Sequence, residues 1–294
     1  MSAVTDLLGD INIETLPAFR YTDVGGWRKF LSENLCARGT LQAAFVGGLH
    51  AATPGMAFLF GYQAAVRQLD ANCPADKLAA LVVSEKGVKS PKDFKTHLQR
   101  EPAGYLVSGE KSHAMLVPEH LDIMYLVAKE DDNLVGVRLD DIAERMHEPE
   151  SGLSVKAPVQ SPFVRDIPHA SIILNKVAVD ELMVADGHKS WNKPFRYWED
   201  MHVAAAMLGW MYRWSGKKAE LNDQFQQLQY AFTQSPEYYQ LASFDLLDTV
   251  LNSLDKAAEQ LSSENDSLWQ QDRLLMLMGA NIRKAVSDRV RDAR

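Results

Sequence analysis

The sequence has only two cysteines, Cys36 and Cys73, far apart and without a C-x-x-C partner. They supply neither a zinc ligand set nor a disulfide framework, and the ordinary place for such thiols is burial as small apolar side chains. No apolar run approaches the roughly 18 residues that a membrane span requires. The start, MSAVTDLLGDINIETLPAF, has no basic segment followed by an apolar one, so a signal peptide is not expected and a cytoplasmic, soluble protein is. Positive charge is in deficit, with 31 Lys and Arg against 39 Asp and Glu and a formal charge of -8. That balance excludes a general nucleic-acid binder, although a local basic patch can still meet a nucleotide or CoA phosphate. A complete glycine fingerprint is missing too, since Gly47-Gly48 follows no clear strand.

What is present is globular in texture: 294 residues, 46% hydrophobic and 24% charged, enough for two or three domains. Between Trp27 and Leu69, helix formers are interleaved with Gly47, Gly48, Gly55 and Gly61. Two packed helices broken near Thr53-Pro54-Gly55 fit this stretch, with proline at a helix start and small residues at close helix contacts. From Leu78 the texture changes to LAALVVS, GYLVSG, IMYLVAK, LVGVRL, GLSVKAP and ASIILNKVAV, short β-branched runs separated by Gly, Pro and Asp. These predict an antiparallel β-domain. After Pro194, four stretches carry apolar residues at helical spacing, EDMHVAAAMLGWMYR, AELNDQFQQLQYAF, PEYYQLASFDLLDTVLNSLDKAAEQL and SLWQQDRLLMLMGANIRKAVSDRV. The prediction is an α+β chain: N-terminal helices over 1–77, a central antiparallel β-domain over 78–190, and a C-terminal four-helix bundle over 191–294. Pro236 is placed in the first turn of the third bundle helix, and Ser263 or Asp266 at the cap of the fourth.

Three ordered segments carry a resemblance. The stretch LAALVVSEKGVKSPKDFKTHLQREPAGYLVSGEKSHAM holds a strand ending in Ser84-Glu85 and another closing in Gly109-Glu110-Lys111. ASIILNKVAVDELMV reads as a strand leaving the β-domain through a V-x-V step, with Asp180 where a proline is usual. YWEDMHVAAAMLGW opens the first bundle helix with an acidic start followed by small residues. In this order the segments resemble the acyl-CoA dehydrogenase superfamily, of which the chain looks like a shortened member.

The resemblance implies FAD as cofactor and an acyl-CoA or other acyl thioester as substrate. It also implies an electron-transfer flavoprotein as redox partner, a homo-oligomer or a pairing with a longer homologue, and a place in fatty acid metabolism. It places Val83, Ser84, Glu85, His113 and Met115 against the flavin, His113 where an aromatic residue is usual and Met115 where a Thr or Ser is. Glu199 falls where one subgroup keeps its catalytic base, which removes the α-proton while the β-hydrogen leaves as hydride to the flavin. From the residues alone, Glu199 equally suits the favourable field at a helix start, and Ser84 a strand-end turn. The Arg-x-x-Phe-Gly and later Gly-Gly motifs that hold the family's cofactor are missing. The alternative is therefore a catalytically silent relative that binds an acyl thioester or pairs with a full-length dehydrogenase.

Three further sets of residues stand out. Glu144 to His147 and Glu199 to His202 have the Glu-x-x-His spacing of di-iron bundles, but the additional inward carboxylates are not evident and no metal is expected. Arg165, Asp166 and His169 suggest a charged loop dominated by surface ion pairs. Trp269, Asp272 and Arg273 read as helix-end packing with Asp272 exposed or locally paired, and carry no catalytic role.

Overall fold

The computed structural model describes residues 13–35 and 37–292, so Cys36 lies outside the described residues. Along the chain run α1 (Val24–Asn34), α2 (Thr40–Leu49), α3 (Pro54–Leu69), β1 (Ala79–Val82), β2 (His97–Glu101), β3 (Gly104–Met115), β4 (Ile123–Glu130) and β5 (Asn133–Leu139). They are followed by α4 (Ile142–His147), β6 (Leu153–Pro158), β7 (His169–Ala178), β8 (Glu181–Val184), α5 (Lys193–Trp214), α6 (Lys218–Gln234), α7 (Leu241–Ala258) and α8 (Ser263–Asp292). They form two units: Met1–Gln68 with Pro162–Asp166 and Tyr197–Arg294, and Leu69–Ser161 with Ile167–Arg196.

In the helical unit, the glycines let backbones meet. A Cβ on Gly48 of α2 would lie 1.9 Å from the carbonyl oxygen of Ala206 on α5, and one on Gly209 would lie 2.0 Å from that of Phe45. Both obstacles are backbone, which cannot rotate aside as a side chain can. Gly48→Ala and Gly209→Ala are each expected to cost about 3 kcal/mol of stability by forcing the helices apart. Urea denaturation of either variant measures this, and an unchanged midpoint would refute the packing. At the start of α3, Pro54 follows Thr53, whose hydroxyl accepts the Met56 N–H at 3.1 Å, a conventional N-cap.

The other unit is an eight-stranded sheet ordered β6-β7-β3-β2-β4-β5-β8, with β1 also beside β4. The α+β architecture agrees with the sequence reading, but the sheet is mixed: β1 and β2 run parallel to β4. Parallel neighbours need a long connection, and the segment from β2 through β3 carries the chain from β1 back to β4. Strand β4 is buried from Ile123 through Ala128, which explains its unbroken apolar run. Cys73 is buried.

Two helix starts differ from expectation. The third bundle helix opens at Leu241 behind Gln240, leaving Pro236 in the preceding loop, because Gln240 and Ser243 form a reciprocal capping box. The fourth opens at Ser263 and is capped by Ser262, whose hydroxyl accepts the Asn265 N–H at 3.3 Å. Among the described residues no helix is long and apolar enough to cross a membrane.

Candidate functional site

The Ser84-Glu85 and Gly-x-Lys segments come together in the sheet unit through a buried ion pair. Lys111 Nζ donates to Glu85 Oε1 at 2.9 Å, to the Val83 carbonyl at 3.1 Å and to the Val127 carbonyl at 2.8 Å. Its side chain is 0% exposed, and that of Glu85 4%. Glu85 also accepts the Lys95 N–H at 2.7 Å and the Thr96 N–H at 3.2 Å. Burial alone would raise the Glu85 carboxyl, but these donors outweigh it and hold the group below its ordinary range. Burial pulls the Lys111 ammonium down to about 8 against the opposing pull of Glu85. The Glu85 carboxylate and the Val83 carbonyl are therefore engaged inside the sheet, where they fix the shape of the neighbouring chain.

Just beyond Lys111 the strand changes its facing. Lys111 pairs with Ile172 and Ala114 with Ala170, so three steps on β3 match two on β7. This bulge releases Ser112 and His113 from the ladder and turns the next side chains by one position. Ser112 donates through its N–H at 2.8 Å and its hydroxyl at 3.0 Å to the Ser84 carbonyl. His113 is exposed, with Nδ1 3.1 Å from Ser112 Oγ. Ser84 is exposed too, and its hydroxyl makes no hydrogen bond among the described residues. Met115 is buried, 5% exposed, opposite His169. Burial, and then the nearby His113, hold His169 below its ordinary range. Three of the predicted residues thus lie along one polar edge or directly under it: Ser84 and His113 on it, Met115 beneath.

Glu199 belongs to the helical unit. Its helix begins six residues earlier than the sequence suggested, at Lys193 behind a π-turn over His188–Asn192. Glu199 is therefore almost two turns inside α5 and partly exposed, beyond the reach of the N-terminal dipole. Its neighbours fix this part of α5. Tyr197 donates to the Ser235 carbonyl and Trp198 Nε1 to the Pro236 carbonyl, both at 2.7 Å. The Tyr239 hydroxyl donates to Asp200, and Arg283, 4% exposed, lies 3.4 Å from the same carboxylate.

His202, one turn on, is fully buried. Its Nδ1 lies 2.6 Å from the Trp198 carbonyl and its Nε2 2.9 Å from Thr40 Oγ1. The carbonyl requires the proton on Nδ1, which leaves Nε2 to accept the threonine hydroxyl. Both nitrogens are engaged, and Glu144 and His147 are exposed on α4 of the other unit. Among the described residues no group of three His, Cys, Asp or Glu can hold a metal ion.

Burial lowers His202 to about 4, and burial followed by Arg213 does the same to His50. An unfolded imidazole takes its proton near 6.5, so between pH 6.5 and 4 the unfolded chain binds more protons. Stability then falls as the pH drops through that window, by about 2.5 kcal/mol for each histidine on reaching pH 4.5. Urea titrations at pH 7 and 4.5 are expected to show this loss, reduced in His202→Gln. A loss equal to wild type in the variant would contradict it.

The segment with Arg165 and Asp166 does not form the expected surface pair. Asp166 accepts the Thr53 hydroxyl at 2.5 Å, and Asp272 accepts the Val164 N–H at 2.8 Å. Asp272 is 3% exposed rather than at the surface, because it continues the inward stripe begun by Trp269, 0% exposed. Burial, reinforced by Asp166, raises its carboxyl. Arg273 pairs with Asp255 at 2.5 Å.

No protein-family model matches the chain, and no curated protein matches it in sequence. Solved structures do match its fold. PigA with FAD and proline is similar at a TM-score of 0.67 and 13% identity, over 94% of this chain and 93% of that one. Butyryl-CoA dehydrogenase from Megasphaera elsdenii follows at 0.57 and 12%, over 88% and 85%. The prolyl acyl carrier protein oxidase AnaB is similar at 0.54 and 13%, over 92% and 83%. The chain has an acyl-CoA dehydrogenase-like fold.

Proposed function

We propose that this chain binds FAD along the Ser84–His113 edge and removes the α- and β-hydrogens of an acyl thioester, with Glu199 as the base. The carrying observation is the β3 bulge, which turns Ser112 and His113 out beside the exposed Ser84, in a fold that PigA with FAD also has. Bulges are frequent beside active sites, where they re-aim side chains.

The edge suits the polar rim of a flavin ring. Ser84 has a hydroxyl ready to donate, Ser112 and His113 supply further donors and acceptors, and the rim is exposed. Met115 supplies no hydrogen-bond donor to a flavin ring. Val83 and Glu85 act by position: Lys111 fastens both, and the fastening holds Ser84 between them.

Bound FAD supplies the hydride acceptor. The residue proposed to take the α-proton is Glu199, on a helix held by Tyr197, Trp198 and Asp200. Removing the α-proton is general-base work, for which a partly exposed carboxylate on a rigid helix is suited. An electron-transfer flavoprotein is the proposed acceptor of the electrons afterwards, and a homo-oligomer the proposed assembly.

Titration of the purified chain with FAD, followed by incubation with an acyl thioester, tests the reading. The expected results are quenching of flavin fluorescence and a product lighter by two hydrogens. Met115 favours one other reading, an acyl-thioester binder without catalysis, and thioester binding with no FAD bound would establish that instead.

A further inference from the structure

The loop from β1 to β2 concentrates the charge that the rest of the chain lacks. Lys86, Lys89, Lys92, Lys95 and Arg100 fall within residues 86–100, where Asp93 is the one acidic residue. All five cations are exposed, and none forms an ion pair among the described residues. Elsewhere basic side chains of this acidic chain do find partners, as in Lys156 with Glu110 and Arg145 with Asp180. Four lysines at every third position of one surface loop, against Asp93 alone, make a strip of net positive potential.

The strip is built rather than loose. The buried Glu85 carboxylate takes the N–H groups of Lys95 and Thr96, and Lys129 Nζ donates to the Lys92 carbonyl at 3.2 Å. The Phe94 ring lies 4.8 Å from Lys111 Nζ, so the loop's one aromatic side chain is anchored inward beneath its lysines. A turn at Pro91–Asp93 is closed by the Asp93 N–H on the Ser90 carbonyl at 2.9 Å. Such anchoring lowers the entropy lost when a partner binds.

We infer that this loop is the docking surface for an acidic carrier-protein domain that presents the acyl thioester on a phosphopantetheine arm. The inference rests on the acyl-thioester reading and names the form in which the substrate arrives. An acyl thioester reaches an enzyme either on a nucleotide or on a protein that bears the same arm. Nucleotide phosphates are gripped where donors converge, at a helix N-terminus or around an arginine. Here four exposed lysines are spread along ten residues of loop, with no arginine among them, which suits the broad acidic face of a protein. The strip begins two residues after Ser84, so a carrier seated on it would deliver its arm beside the edge proposed for flavin. Complementary charge of this kind mainly sets encounter rate and partner choice.

The test is binding of a purified holo acyl carrier protein, measured without turnover, to the wild-type chain and to K86E/K89E/K92E/K95E. Free CoA is titrated in parallel. Wild type is expected to bind the carrier with an affinity that falls steeply with salt, and the variant at least about tenfold more weakly at low salt. CoA affinity is expected to be equal in both. The four lysines are surface residues, and an unchanged thermal midpoint confirms the fold. Equal weakening toward CoA would overturn the inference by assigning the loop to nucleotide phosphates. Unchanged carrier binding would overturn it, and so would a loss of self-association in the variant in place of carrier binding. Because no turnover is read, a chain that binds carrier but no FAD would remove the enzymatic reading and leave the docking surface standing.

Discussion

Glutamine in place of Glu85 is expected to destabilise the sheet unit by about 3–5 kcal/mol, the cost of leaving a buried ammonium without its counter-charge. Lys111 has no exposed surface through which water could compensate. The carbonyls of Val83 and Val127 remain as acceptors, but they carry no full charge to offset burial. Lys111→Met alone is expected to cost less, since Glu85 keeps the N–H groups of Lys95 and Thr96. The double variant Glu85→Gln with Lys111→Met leaves no buried charge and is expected to recover most of the loss. Denaturation of all four proteins gives the coupling between the two residues directly. Strictly additive losses would show that the pair does not act as one. The same substitution unfastens the β1–β2 loop, so faster proteolysis within residues 86–96 is expected in Glu85→Gln.

Glu199→Gln is expected to lower the rate of substrate-dependent flavin reduction by about 10²- to 10⁴-fold, the usual contribution of a positioned general base. The substitution keeps size and shape and removes the charge and the ability to take a proton. Tyr197, Trp198 and Asp200 also hold that part of α5, so the variant is expected to stay folded, with a thermal midpoint close to that of wild type. FAD affinity is expected to be unchanged. Rapid mixing under anaerobic conditions separates these quantities. An undiminished reduction rate would assign the α-proton to another group, and equal losses of FAD affinity and rate would make Glu199 a structural residue.

The parts of the fold written in apolar periodicity were legible in the sequence. The β4 run IMYLVAK, the alternation in β7 and the bundle helices all announce what they bury. Strand β2, HLQRE, did not, because a single one of its five residues is buried and its pairing is made by backbone. The parallel pairing of β1 with β4 was equally hidden, since strand direction leaves little trace in composition. The resemblance singled out Ser84, Glu85 and Glu199 as candidates, but not what each does. A sequence motif does not distinguish a carboxylate that meets a ligand from one that neutralises a buried lysine, and Glu85 proved to be the second kind. The bulge at Ser112–His113 depends on a register shift with β7, a long-range property. Asp272 was readable in principle, three residues beyond the buried Trp269 on the same helix face.

The measurement that bears most directly on the central claim is the visible spectrum of the chain reconstituted with FAD, recorded without oxygen before and after addition of an acyl thioester. The account predicts a yellow complex whose absorbance bleaches on addition of the thioester, rapidly in wild type and slowly in Glu199→Gln. A chain that stays colourless with excess FAD, or a yellow complex that no acyl thioester bleaches, would contradict it.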